Sequence, residues 1–167
     1  MGLSTLRSFD DWYAQAWSSL YRAVAASLGS GDLAEEATAE ACTRALERWS
    51  RVGAMASPTG WAFRVAINHG RRLRRRRKVE RALFLGRARP VDASADEDMA
   101  GFLRSLDELT QRERQVVALR YALGFSDREI ATALDIAEST VSATRSRALR
   151  RLRIAVLEPS TQQEGPS

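Results

Sequence analysis

Seven basic side chains crowd eight consecutive positions: Arg71, Arg72, Arg74, Arg75, Arg76, Arg77 and Lys78, with Leu73 the one interruption. On a helix, like charges three and four residues apart repel by about 0.2–0.5 kcal/mol per pair, so such a run costs stability. A nucleic acid offsets that cost. Guanidinium groups meet phosphates in planar, two-pronged contacts, and each contact releases counterions from the polyanion. Arginine supplies this chemistry almost alone, since Lys78 is the only lysine in the chain. A second stretch carries a different pattern. Ser139, Thr140, Ser142, Ala143 and Ser146 are small or polar, and Arg145, Arg147, Arg150 and Arg151 follow or interleave. Small polar groups fit against base edges and arginines hold phosphates, the division of labour of a helix in a DNA major groove.

Catalytic chemistry has no comparable footing. His69 and Cys42 are the single histidine and the single cysteine. One of each rules out a Cys/His zinc set and an intramolecular disulfide. Cys42 reads as a small core residue in a reducing compartment. The chain has no glycine-rich phosphate loop, no metal-ligand cluster and no nucleophile–base constellation, so no enzyme activity, cofactor or metal is expected. The 167 residues carry 44% hydrophobic side chains, enough for one domain or two small ones. Net charge is +5 and the pI about 10.3, which suits a polyanionic partner. No signal peptide opens the sequence and no apolar run approaches a membrane span.

The elements that must hold these residues are all helical; no segment alternates as strands do. Ser8 caps a first helix ending at Gly29, whose Phe9, Trp12, Tyr13, Ala16, Trp17, Leu20, Tyr21, Val24 and Leu28 follow helical spacing. Those aromatics share a face, which predicts core packing rather than a stacking platform. A second helix, 31–49, places Leu33, Ala37, Ala41, Ala45 and Trp49 in one stripe and Asp32, Glu35, Glu36, Glu40 and Glu47 outside. An acidic face in a basic protein is either solvated or docks a basic protein partner, because it would repel DNA. A loop over 50–57 leads to Ser57-Pro58, an N-cap and first-turn proline that start the helix bearing the arginine run. Glycine, proline, serine and acidic residues then mark a linker, in which Asp92, Asp96, Glu97 and Asp98 are acidic.

The expected organisation is all-α: two small helical domains, 1–80 and 98–157, joined by a flexible linker over 81–97, with a frayed tail over 158–167. In the second domain Phe102, Leu103, Leu106 and Leu109 suggest a short helix. Thr110…Glu113 and Ser126…Glu129 are capping boxes. The helix opened by Thr110 is expected to stop at Gly124. After Ser126, Ile130, Ala131 and Leu134 share a face, Asp135 takes the turn position where glycine is usual, and Ile136 plugs the corner. Val141, Ala148, Leu149 and Leu152 then point to the core. That combination specifies a helix-turn-helix more sharply than periodicity alone, which would also permit a plain αα-hairpin.

The sequence resembles the extracytoplasmic-function (ECF) sigma factors of bacterial RNA polymerase over roughly residues 9–152. DLAEEATAEACTRALERW resembles the family's helix that docks on core polymerase, SPTGWAFRVAINHGRRLRRR the segment that meets the −10 promoter element, and LDELTQRERQVVALRYALGFSDREIATALDIAESTVSATRSRALRRL the region that reads the −35 element. The resemblance implies sequence-specific promoter recognition in the bacterial cytoplasm. Core RNA polymerase and promoter DNA would be partners, and an anti-sigma factor a regulator. It assigns polymerase binding to Asp32, Glu35, Glu36 and Glu40. It assigns −10 contacts to Arg51, Met55, Ser57, Trp61, Arg64, Asn68, Arg71, Arg72 and Arg75. It assigns −35 contacts to Arg120, Ser139, Thr140, Ser142, Ala143, Arg145, Ser146, Arg147 and Arg150. Relatives often carry a basic residue at the position of Ser142 and a bulkier one at that of Ser146, so the base preference does not transfer. The alternative is a stand-alone LuxR-like regulator, whose DNA-binding domain shares the LTxRE opening but needs neither the acidic helix nor the arginine run.

Overall fold

The computed structural model describes residues 8–84, 101 and 103–157, with side chains of 154–157 outside the description. The helices whose bounds are described are α1 (Phe9–Leu28), α2 (Gly31–Glu47), α3 (Trp49–Val52), α4 (Pro58–Leu83), α5 (Gln111–Tyr121), α6 (Asp127–Leu134) and α7 (Glu138–Leu157); residues 101 and 103–105 are also helical, and no strand occurs among the described residues. The expected linker residues from 85 onward, Phe102 and the tail over 158–167 lie outside the described residues.

The first unit is α1 to α4. Ser8 accepts a hydrogen bond from the Asp11 amide at the start of α1, and Gly29 closes it in the left-handed conformation at φ 65°. Ser30 caps α2 immediately afterward, so α1 and α2 form a tight hairpin. Leu20, Val24, Ala37, Ala41 and Ala45 are fully buried, which is why alanine fills the α2 stripe: the helices must come close. α4 packs across both. Gly70 is where α4 meets Leu28, and a β-carbon there would run into the leucine side chain. Arg74 donates to the Leu28 carbonyl at the same crossing.

Trp49 lies outside α2. The backbone breaks at Arg48 (φ −122°), and one helical turn, α3, takes up residues expected to be loop. The break turns Trp49 onto Trp12 and Phe9, with ring centroids 5.2 and 5.5 Å apart. Trp12 in turn donates from Nε1 to Thr59 Oγ1 at 3.0 Å, tying α1 to the start of α4. The aromatics therefore pack and brace, with Trp12 buried and Tyr13 exposed. α4 runs through Leu83, three residues past the expected domain edge at 80, and Leu83 and Phe84 are exposed there.

The second unit is built on caps. Thr110 and Glu113 form a reciprocal capping box for α5, and Ser126 and Glu129 form one for α6. Leu106 and Leu109 are buried ahead of them. α5 ends at Tyr121 rather than at Gly124. The positive φ of Gly124, 68°, belongs to the following turn. Asp135 does end α6 in the left-handed conformation (φ 54°), the one non-glycine residue to do so among those described. In α7 the buried stripe is Val141, Thr144 and Ala148, with Leu152 partly buried; Leu149, one position round the helix, is 42% exposed. Stepping from 141 by three, four and four residues keeps one face, and 149 falls off it. The two units are packed together: α5 lies on α1, and α6 touches α4.

Candidate nucleic-acid interface

Ser57 begins the first surface. Its hydroxyl accepts from the Gly60 amide at 3.0 Å, fixing the N-terminus of α4. From there Trp61, Arg64, Asn68, Arg71 and Arg75 succeed one another at three- and four-residue steps along one face, with Arg72 beside them. Six of the nine residues expected at the −10 element line two adjoining clefts. Met55, Ser57, Trp61 and Arg64 form one wall of a cleft of about 430 Å³. Arg64, Asn68 and Arg71 form one wall of a second, of about 220 Å³. Arg51, Arg72 and Arg75 are exposed outside both clefts.

The opposite walls come from the second unit. Phe125, Arg128 and Glu129 close the larger cleft, and Arg112, Gln115, Leu134 and Asp135 the smaller. Sequence reasoning missed Arg112 and Arg128. Both belong to capped helix starts in the second unit, and only tertiary packing sets them opposite Arg64.

The second surface is α7. Ser139, Thr140, Ser142, Ala143, Ser146, Arg147 and Arg150 are all exposed, a continuous small-polar patch followed by guanidinium groups. Ser146 donates to the Ser142 carbonyl at 3.0 Å and Arg147 to Thr144 Oγ1 at 3.2 Å, so both side chains lie along the helix. Two of the expected contact arginines are engaged elsewhere. Arg145 is paired with Asp127 at the start of α6, and Arg120 donates to the Phe125 carbonyl at 2.9 Å. Both hold the helix-turn-helix together. Arg151 does similar work, 3.6 Å from the buried carboxylate of Glu113. The Glu129 carboxyl is held below the usual carboxylate range because it accepts from the Ser126 amide at 2.8 Å and then from the Ser126 hydroxyl.

The third surface is acidic. Asp32, Glu35 and Glu36 are exposed on α2 and Glu40 is half-buried. Glu36 pairs with Arg77 of the arginine run at 2.9 Å, and Glu40 with Arg44 at 2.7 Å. Asp32, Glu35 and Glu47 make no ion pair with any described residue, and Asp32 and Glu35 are the free negative charges in the first turns of α2. Cys42 lies beneath, buried, and burial pushes its thiol up to about 11. No group of metal-binding side chains forms among the described residues, and no described helix is long and apolar enough to cross a membrane.

Residues 8–80 match the Sigma-70 region 2 family and residues 100–152 the Sigma-70 region 4 family. A match to region 2 is unexpected for a stand-alone LuxR-like regulator, and that alternative is set aside. An uncharacterised protein of Rhizobium meliloti is 32% identical over 139 residues, 74% of this chain. The chain spans 33% of the length of that relative. The ECF RNA polymerase sigma factor SigL of Mycobacterium tuberculosis is 30% identical over 158 residues, which is 90% of this chain and 87% of SigL. Two solved structures share the fold. The sigma factor RpoE, in complex with the anti-sigma factor NepR from Bartonella quintana, has a TM-score of 0.67 at 23% identity, covering 90% of this chain and 99% of RpoE. CnrH, in complex with the cytosolic domain of CnrY, has a TM-score of 0.65 at 21% identity, covering 94% of this chain and 92% of CnrH. With two region matches in order and a relative of that description matched over 90% of this chain, the chain belongs to the ECF RNA polymerase sigma factors.

Proposed function

We propose a division of labour for this sigma factor in the bacterial cytoplasm. The acidic face of α2 docks on core RNA polymerase. The exposed face of α7 enters the −35 major groove, with Ser139, Thr140, Ser142, Ala143 and Ser146 toward bases and Arg147 and Arg150 toward phosphates. The α4 face from Met55 to Arg75 holds the −10 element. The observation that carries this reading is the sorting of charge: free carboxylates on α2, and small polar groups with arginines on α7 and α4. Negative charge repels DNA and steers a basic protein surface toward α2, while the basic faces gain from phosphate. Arg120 and Arg145 serve the fold of the helix-turn-helix first. Regulation by an anti-sigma factor is supported by the shared fold with RpoE, which was solved with one.

Co-purification with core polymerase tests the docking face. Asp32→Lys combined with Glu35→Lys leaves the internal pairs of Glu36 and Glu40 intact. It should cut retention by core polymerase at least about tenfold through like-charge contact. DNA affinity of the chain should not fall. Undiminished retention would remove α2 from the interface.

A further inference from the structure

The basic run of α4 does not face one way. Phe63, Ala66, Gly70 and Leu73 form a buried stripe on this helix, and Arg77 continues that stripe at the next four-residue step. Trp61, Arg64, Asn68, Arg71 and Arg75 run along a different side. Arg77 therefore reaches α2, where its guanidinium donates to Glu36 Oε2 at 2.9 Å. Its neighbours Arg75, Arg76 and Lys78 are exposed, whereas Arg77 is half-buried. Packing holds it there, because α2 lies closely on α4 and Arg74, three residues back, is fastened to the Leu28 carbonyl.

Glu36 belongs to the face assigned above to core polymerase. Asp32 and Glu35 are free to meet a basic partner, but Glu36 is already matched. A basic side chain that approaches Glu36 meets a guanidinium in place. Docking must separate that pair or tolerate Arg77 as a like charge beside the contact. Glu40 is matched as well, yet its partner Arg44 lies four residues along α2 itself. Arg77 comes from another helix, 41 residues away.

We infer that Arg77 is an internal competitor of core polymerase for Glu36, and that it sets the docking affinity below what the acidic face would otherwise give. The inference rests on the docking reading of α2. The side chains of the pair are 35% and 46% exposed, so the effect is a trim of about two- to fivefold and not a switch. Its sign is distinctive. Removing a positive charge from the arginine run should tighten binding to polymerase, which loss of fold does not do.

Equilibrium titration of the full chain with core polymerase at low salt tests it. Lys78→Gln is the control, since Lys78 is exposed, has no ion pair with a described residue and makes the same change in net charge. Arg77→Gln should bind about two- to fivefold more tightly than Lys78→Gln, the gain shrinking with added salt. Glu36→Gln should bind more weakly than the unsubstituted chain. In a Glu36→Gln background, Arg77→Gln and Lys78→Gln should be equal, which closes the cycle on the pair. Arg77→Lys keeps the charge and should return the affinity to that of the unsubstituted chain. Equal or weaker binding by Arg77→Gln relative to Lys78→Gln would overturn the inference, as would a gain that persists without Glu36 or in Arg77→Lys. Failure of the docking reading itself shows separately: Asp32→Lys combined with Glu35→Lys would then leave retention undiminished.

Discussion

α4 and α7 both carry clustered arginines, yet the two helices use them differently. In α7 the residues suited to bases stand exposed, and its arginines are split between scaffold and surface: Arg145 and Arg151 pair with Asp127 and Glu113, while Arg147 and Arg150 face outward. In α4 the order is reversed. The residues suited to a DNA strand, from Trp61 to Arg71, border clefts shared with the second unit, with Arg64 and Asn68 exposed at their edge, and further exposed arginines crowd the far end of the helix. The α7 face stands clear of the rest of the chain, while the α4 face borders the second unit and stays exposed at Arg64 and Asn68. An arginine count predicts neither; the acidic partner each guanidinium finds decides its role.

Substitutions on α7 sharpen that contrast, beginning with the largest effect. Val141 is fully buried beneath the exposed small-polar face of α7. Val141→Ala should destabilise the second unit by about 1–3 kcal/mol in a thermal melt, from lost burial and the cavity left. A neutral melt would show that α7 is not seated as described. Arg145→Ala should cost about 1 kcal/mol, since it strands Asp127 and unties α6 from α7. The salt slope of DNA binding should stay unchanged, because Arg145 is a scaffold residue. Arg147→Ala should do the opposite: little change in the melt and a salt slope shallower by about one unit. If the two variants behave alike, the division between scaffold and surface arginines fails.

Acid sharpens the comparison from the side of α6. Its Ser126 hydrogen bonds hold Glu129 ionised below the usual carboxylate range. A lowered folded-state value gives stability that is present above the unfolded value and is lost as pH falls through the folded one. The helix-turn-helix should therefore weaken as pH drops below about 4, the ordinary glutamate value. Glu129→Gln keeps the reciprocal hydrogen bond without the charge and should flatten that dependence in a pH series of melts. The smallest effect concerns Thr38, a fully buried hydroxyl without a hydrogen-bond partner. Thr38→Val should be neutral or stabilising by up to about 1 kcal/mol, since it removes an unpaired polar group.

Much of the fold was legible because it is local. Ser8, Ser57-Pro58, Thr110…Glu113 and Ser126…Glu129 start helices where caps require, and Asp135 turns where its tolerance of positive φ allows. Breaks governed by packing were not legible. Arg48 interrupts α2 so that Trp49 can reach Trp12 and Phe9, partners far away in sequence. The same limit applied to the site. Spacing put Ser139 to Ser146 on one exposed face correctly, since a helix sets that by itself. The pairing of Arg145 with Asp127, 18 residues away, and the apposition of Arg64 with Asp135 depend on how helices meet. Periodicity carries no record of that.

The most direct test of the account is run-off transcription with core polymerase and the full chain on a library of promoter sequences. Initiation is expected from a narrow set in which a −35 and a −10 element occur together, with Asp32→Lys combined with Glu35→Lys abolishing it. A chain that binds duplex DNA alone but never directs core polymerase to initiate would contradict it.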